Sequence, residues 1–273
     1  MLEEITDSAT LEWALKDISG AAALAVAVRA ALRTVPLMEL WLAHDEEEAA
    51  PMLLPTFRPL AAGWAMALDM AGRGGERAAL LARPDAGMLA TATEAAIRHA
   101  TRAVARATSV VANTASNTPF SYARITFAAA VRAAYAATAA AHEGSTARAI
   151  AHIAAAAQGW PAISADVRAL RDIAPDQLAN WLLATPLWPA GVDIPDWAQA
   201  NWPLLKERLL DRENEQWQVW TDWYDALLHP PANDTGRAEE QVEQARIRAL
   251  LPEALWQQGP AAANAAIAKM TGG

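Results

Sequence analysis

Trp217-Gln-Val-Trp220-Thr-Asp222-Trp223-Tyr224-Asp225-Ala-Leu227-Leu228 is the stretch that decides the fold. At about 100° per residue, Trp217, Trp220, Tyr224, Leu227 and Leu228 fall on one stripe of a helix, with Trp223 at its edge. A stripe that wide and that aromatic has to be covered. As structure, the indoles are pillars that fasten one helical layer to another. As function, adjacent indoles offer a platform for a sugar, a cage for a cation or an anchor for a partner. Packing is the plainer of the two.

What the stripe packs against follows from the rest of the chain. Of 273 residues, 53% are hydrophobic and only 7% aromatic, and 70 are alanine, the strongest helix former. A chain of this length buries a large core in one or two domains. The class is all-α: an alanine-rich helical bundle with a Trp-rich C-terminal helical region. Arginine outnumbers lysine by 19 to three, a bias that accompanies alanine in GC-rich coding and lowers the weight of each alanine. Tryptophan escapes that discount, and nine of the 12 lie from Trp160 onward. The bundle is expected over residues 1–158 and the Trp-rich region, packed on it, over 159–273, with the boundary at Gly159-Trp160-Pro161.

Punctuation places the helices. Ser8 and Ser19 suit N-caps, the second opening a helix that stops before Pro36. Helices are expected over Pro36–Ala43 and Pro59–Ala71, and His44–Phe57 reads as an acidic, proline-punctuated loop. Gly72-Arg-Gly-Gly75 breaks the next pair of elements. Asp85–Val111, Ser121–Ala141 and Ser145–Gln158 form the longest helical pattern. Phe127–Ala141, apolar almost all round, belongs at a bundle centre. Further helices are expected at Ser164–Ile173, Pro175–Leu183, Asp196–Leu210, Ala238–Leu251 and Pro260–Met270, with a loop over Thr185–Pro195.

The stripe returns in a resemblance. Trp217–Leu228, with Pro252-Glu-Ala-Leu-Trp256-Gln-Gln-Gly259-Pro260-Ala-Ala-Ala-Asn264-Ala-Ala-Ile267, resembles the C-terminal signature of alanine-rich helical bacterial proteins. It covers about the last third of the chain. The resemblance implies kinship and brings no activity, cofactor or site residue with it.

Chemistry-bearing residues are sparse. The absence of cysteine removes disulfides, thiolate catalysis and cysteine-ligated metal sites. No GxSxG, HExxH, Walker or GxGxxG pattern occurs. Asp225 and His229, at i and i+4, could share a metal or a proton, but no third ligand is evident and the expectation is no metal and no cofactor. His142-Glu-Gly-Ser145 fits simple capping, and Asn113–Pro119 a polar connection. Arg98, Arg102 and Arg106 line one side of a helix and could meet phosphates. The row has no lysine support, and the net charge of −9 goes against nucleic acid as a partner.

Charge divides into an acidic start (net −7 over 1–50), a basic middle (+5 over 51–160) and an acidic end (−7 over 161–273), which favours internal pairing. The start carries acids where an export signal needs positive charge, and the apolar runs fall short of the roughly 18–20 residues a membrane span needs. Cytoplasm, with no membrane partner, is the expected location. The leading functional expectation is a non-enzymatic interaction or scaffold protein whose partner is another protein or a second copy. The rival is an enzyme or small-ligand binder at the seam, using Trp217, Trp220, Asp222, Trp223, Tyr224 and Asp225. The rival requires Trp220 and Tyr224 to line an open cavity beside a carboxylate.

Overall fold

The computed structural model describes residues 5–6, 8–44, 46–72, 159–230 and 235–272. Among these residues there are helices and connections and no strand, so the all-α class with a Trp-rich C-terminal cluster holds. Helices α1 (Ser8–Leu15), α2 (Gly20–Leu32), α3 (Met38–Leu42) and α4 (Glu46–Gly72) come from the start of the chain. From Trp160 onward follow α5 (Trp160–Arg171), α6 (Leu178–Ala184), α7 (Asp196–Leu210), α8 (Gln218–Leu228), α9 (Thr235–Leu250), α10 (Glu253–Gln257) and α11 (Pro260–Thr271). The Arg98, Arg102, Arg106 row, the Phe127–Ala141 helix, Asn113–Pro119 and His142–Ser145 lie outside the described residues.

Local signals explain most boundaries. Ser19 is the N-cap of α2, its Oγ accepting from the Ala22 amide at 3.2 Å. Pro161 sits in the first turn of α5 and Pro260 opens α11, where a missing N–H costs nothing. Gly259, at φ 93°, and Gly272, at φ 81°, flank α11 in conformations open to glycine.

The clearest departure from the sequence reading is α4. The expected loop over His44–Phe57 is helical from Glu46 on, with Pro51, Pro55 and Pro59 inside the helix. A proline in a helix interior costs about 3 kcal/mol. Burying a large apolar side chain returns about 1.5–3 kcal/mol, and α4 buries Met52, Leu53, Leu54, Phe57, Leu60 and Trp64. It is the central element, in contact with α2, α3, α6 and α9. The four-residue spacing concentrates the damage, because the N–H that Pro59 lacks would have bonded the Pro55 carbonyl, and Pro55 stands likewise to Pro51.

The second departure concerns length. The apolar run ends at Leu32 by sequence, but a 3-10 turn (Val35–Leu37) and α3 continue it. Gly20–Leu42 is therefore long and apolar enough to cross a membrane by composition, and 89% of its most apolar window is buried inside the fold. Those side chains join one continuous core with Leu60, Trp64, Ile163, Leu182, Leu205, Trp220 and Ile267, so the two ends of the chain share an interior.

Candidate functional site

The Trp-rich helix α8 lies at the seam, and its side chains divide into three settings. Trp217, Trp220 and Tyr224 are enclosed, at 1%, 0% and 0% exposure. Phe57 of α4 packs 5.9 Å from the Trp217 ring and 5.2 Å from Trp220, while Trp256 of α10 lies 6.3 Å from Trp220. Their polar atoms are satisfied within the chain. Trp217 Nε1 donates to Glu215 Oε2 at 2.5 Å, Trp220 Nε1 to Asn264 Oδ1 at 2.7 Å and the Tyr224 hydroxyl to the Leu32 carbonyl at 3.0 Å. Asn264 in turn donates to the Glu215 carbonyl at 2.7 Å, and Trp256 Nε1 to the Leu251 carbonyl at 3.0 Å. Trp217, Trp220, Trp256 and Asn264 thus form a joint between α8, α10 and α11. None of these three aromatics offers a ligand platform.

Asp225 occupies the second setting. Its carboxylate accepts from Trp202 Nε1 at 2.8 Å and Lys206 Nζ at 2.5 Å, tying α8 to α7. His229 meets Asp225 through the backbone, its amide donating to the Asp225 carbonyl at 2.8 Å. Among the described residues no group of three His, Asp or Glu side chains is placed to hold a metal ion.

Asp222 and Trp223 occupy the third. They line a recess of about 350 Å³ between α6, α8 and α9, with Trp64, Leu183 and Leu227 as apolar walls and Arg248 among its lining residues. Arg248 is only 4% exposed. Its Nη1 donates to the Gln244 carbonyl at 3.0 Å and Nη2 to the Val219 carbonyl at 2.9 Å, while Nε has no acceptor. The guanidinium stands 5.9 Å from the ring centres of both Trp220 and Trp223. Burial lowers its pKa from the usual arginine range to about 10, with the Asp222 charge offsetting part of that shift.

The sequence reading missed a second buried polar centre. Arg29 and Arg33, one turn apart on α2, both reach Asp166 of α5: Arg29 Nε at 3.0 Å and Arg33 Nη2 at 2.5 Å. Arg29 also donates to the carbonyls of Thr185 (3.0 Å) and Pro186 (2.6 Å), and Arg33 Nε to that of Leu187 (2.7 Å). Trp181 and Trp188 cover the two guanidiniums at 4.9 and 5.6 Å. Burial lowers the Arg33 pKa to about 10 despite the opposing pull of Asp166. A signal existed, since two arginines four apart in an otherwise apolar helix demand a buried counter-charge.

Elsewhere the acidic start and end of the chain do find cations. Arg208 reaches Glu39 at 2.8 Å, Arg171 reaches Asp17 at 2.9 Å and Arg58 reaches Glu253 at 2.6 Å, the last guanidinium lying 4.8 Å over Trp256. No family model, curated protein or solved structure matches the chain.

Proposed function

We propose that the chain is a non-enzymatic helical scaffold that associates with a second copy of itself through the face around Trp13, in the cytoplasm. One observation carries the reading: Trp13 is 66% exposed and lines a groove of about 670 Å³ between α1 and α5. Ile5, Ala14 and Val167 supply its apolar lining, and Arg168 lines it as well. An indole left in water beside an apolar groove is the type of residue that dominates association energies.

Charge favours a second copy as the occupant. Arg168 makes no ion pair among the described residues, while Glu12, next to Trp13, has only Lys16 at 3.9 Å. A two-fold contact opposes the patch to itself, so that Trp13 enters the facing groove and Glu12 meets the facing Arg168. The enclosure of Trp217, Trp220 and Tyr224 fits a scaffold, whose aromatic residues are spent on rigidity.

Sedimentation velocity across a concentration series tests the proposal. The expected result is a monomer–dimer equilibrium that Trp13→Ala shifts by at least about 2 kcal/mol toward monomer. Arg168→Glu should weaken it and Arg168→Glu with Glu12→Arg restore it. A wild-type chain that stays monomeric at every soluble concentration overturns the reading.

A further inference from the structure

The recess beside Asp222 and Trp223 lies apart from the Trp13 face and takes no part in that association. We propose that it binds a compact zwitterion with an apolar group, the simplest case being a free α-amino acid with an aliphatic or aromatic side chain. The ligand carboxylate lies against Arg248, its ammonium at Asp222 and its side chain on Trp64, Leu183 and Leu227.

The charges carry the argument. Arg248 is a cation at 4% exposure, and its Nε–H has no acceptor. Two backbone carbonyls and two indole rings offset part of the cost of removing this cation from water, but no carboxylate is bonded to it. Asp222, the acid whose field it feels, lines the same recess but is exposed and forms no hydrogen bond or ion pair among the described residues. Two opposite charges therefore border one cavity with no direct bond between them.

A ligand with both signs answers both. A simple anion would sit at Arg248 but face Asp222, and also Glu240, which lies two turns earlier on α9 and accepts from Gln244 Nε2 at 3.0 Å. A simple cation would satisfy Asp222 and be repelled by Arg248. An α-amino acid carries its charges on adjacent groups, and a lipophilic side chain then covers walls that are otherwise wetted. At about 350 Å³ the recess is at the small end of ligand sites, which run roughly 300–1,000 Å³. That size suits a single metabolite.

The test uses isothermal titration of the purified full chain with each proteinogenic L-amino acid, and with 4-methylpentanoate and L-leucinamide as single-charge analogues of leucine. An apolar amino acid is expected to bind with a Kd of about 1 mM or tighter. Both analogues should bind at least about tenfold more weakly than leucine. Asp222→Asn, a change at an exposed side chain, should weaken the amino acid about tenfold while leaving the unfolding midpoint in place. Arg248→Met should abolish binding in protein whose circular dichroism shows it folded. Trp13→Ala should leave the titration unchanged, which separates this site from self-association. No binding by any apolar amino acid, analogues as tight as leucine, or an Asp222→Asn variant of undiminished affinity overturns the proposal.

Discussion

Two buried joints hold the early helices to the later ones, and they are built from opposite materials. At one, Arg29 and Arg33 of α2 converge on Asp166 and on the carbonyls of Thr185, Pro186 and Leu187. At the other, Phe57 of α4 packs into Trp217 and Trp220, with Trp256 behind. The aromatic joint gains from apolar area removed from water. The charged joint gains little net energy, because desolvating three ions offsets most of their attraction. Its contribution is selectivity: a proline-rich connection has carbonyls without helical partners, and two guanidiniums fix the one loop path that brings those carbonyls within reach. One joint supplies stability, the other determines the arrangement.

The largest test of that contrast is Asp166→Ala, which leaves two enclosed cations without a counter-ion. Urea unfolding should register a loss of about 3–5 kcal/mol. Replacing Arg29, Arg33 and Asp166 together by apolar residues should cost far less than that single change. If the triple variant proves the worse of the two, the charged joint is itself a major source of stability and the contrast fails.

Trp220→Phe, at the aromatic joint, keeps a ring but deletes the N–H that bonds Asn264 Oδ1. A loss of about 1–3 kcal/mol is expected in the same assay. Adding Asn264→Leu should recover part of it, since the orphaned carbonyl goes with it.

The smallest effect sits where the two joints meet, at Tyr224, whose hydroxyl bonds the Leu32 carbonyl beside Arg33. Burial holds this phenol above its ordinary value of 10.0, and the nearby Arg33 offsets only part of that. The folded state therefore keeps a proton that the unfolded chain releases. Stability from this group is complete below pH 10 and declines as pH rises above it. Arg33 and Arg248 have the opposite sign: their folded values of about 10 lie below the usual arginine range, so their burial cost eases as pH climbs from 10. Tyr224→Phe should cost about 1 kcal/mol at neutral pH and flatten, or reverse, the fall in stability above pH 10. An unchanged alkaline slope would remove Tyr224 from the account.

The same contrast explains what could be read before any coordinates. Periodicity assigned Trp217, Trp220 and Tyr224 to one face, and covering that face is what the fold does. The Ser19 cap and the helix start at Pro260 are likewise local, so local chemistry is enough. Partners were not legible. Asp222 and Asp225 both flank the stripe on one helix, and nothing in their spacing tells that α7 comes to one with Lys206 while α9 brings Arg248 toward the other. Pro51, Pro55 and Pro59 misled for the same reason, since their local penalty is outweighed by neighbours more than a hundred residues away. Of the seam, the sequence showed two lining residues, Asp222 and Trp223, and missed Arg248, because one of three arginines in a charged helix looks solvated until its surroundings are known.

Gly63 faces Val28 where α2 and α4 cross, and a Cβ built on it would stand 3.1 Å from Val28 Cγ2. The two helices approach closely there, so that a methyl gained at position 63 presses on one Val28 methyl. A side chain at position 63 is therefore accommodated only as far as Val28 yields by a few tenths of an ångström, and a smaller residue at position 28 supplies that room.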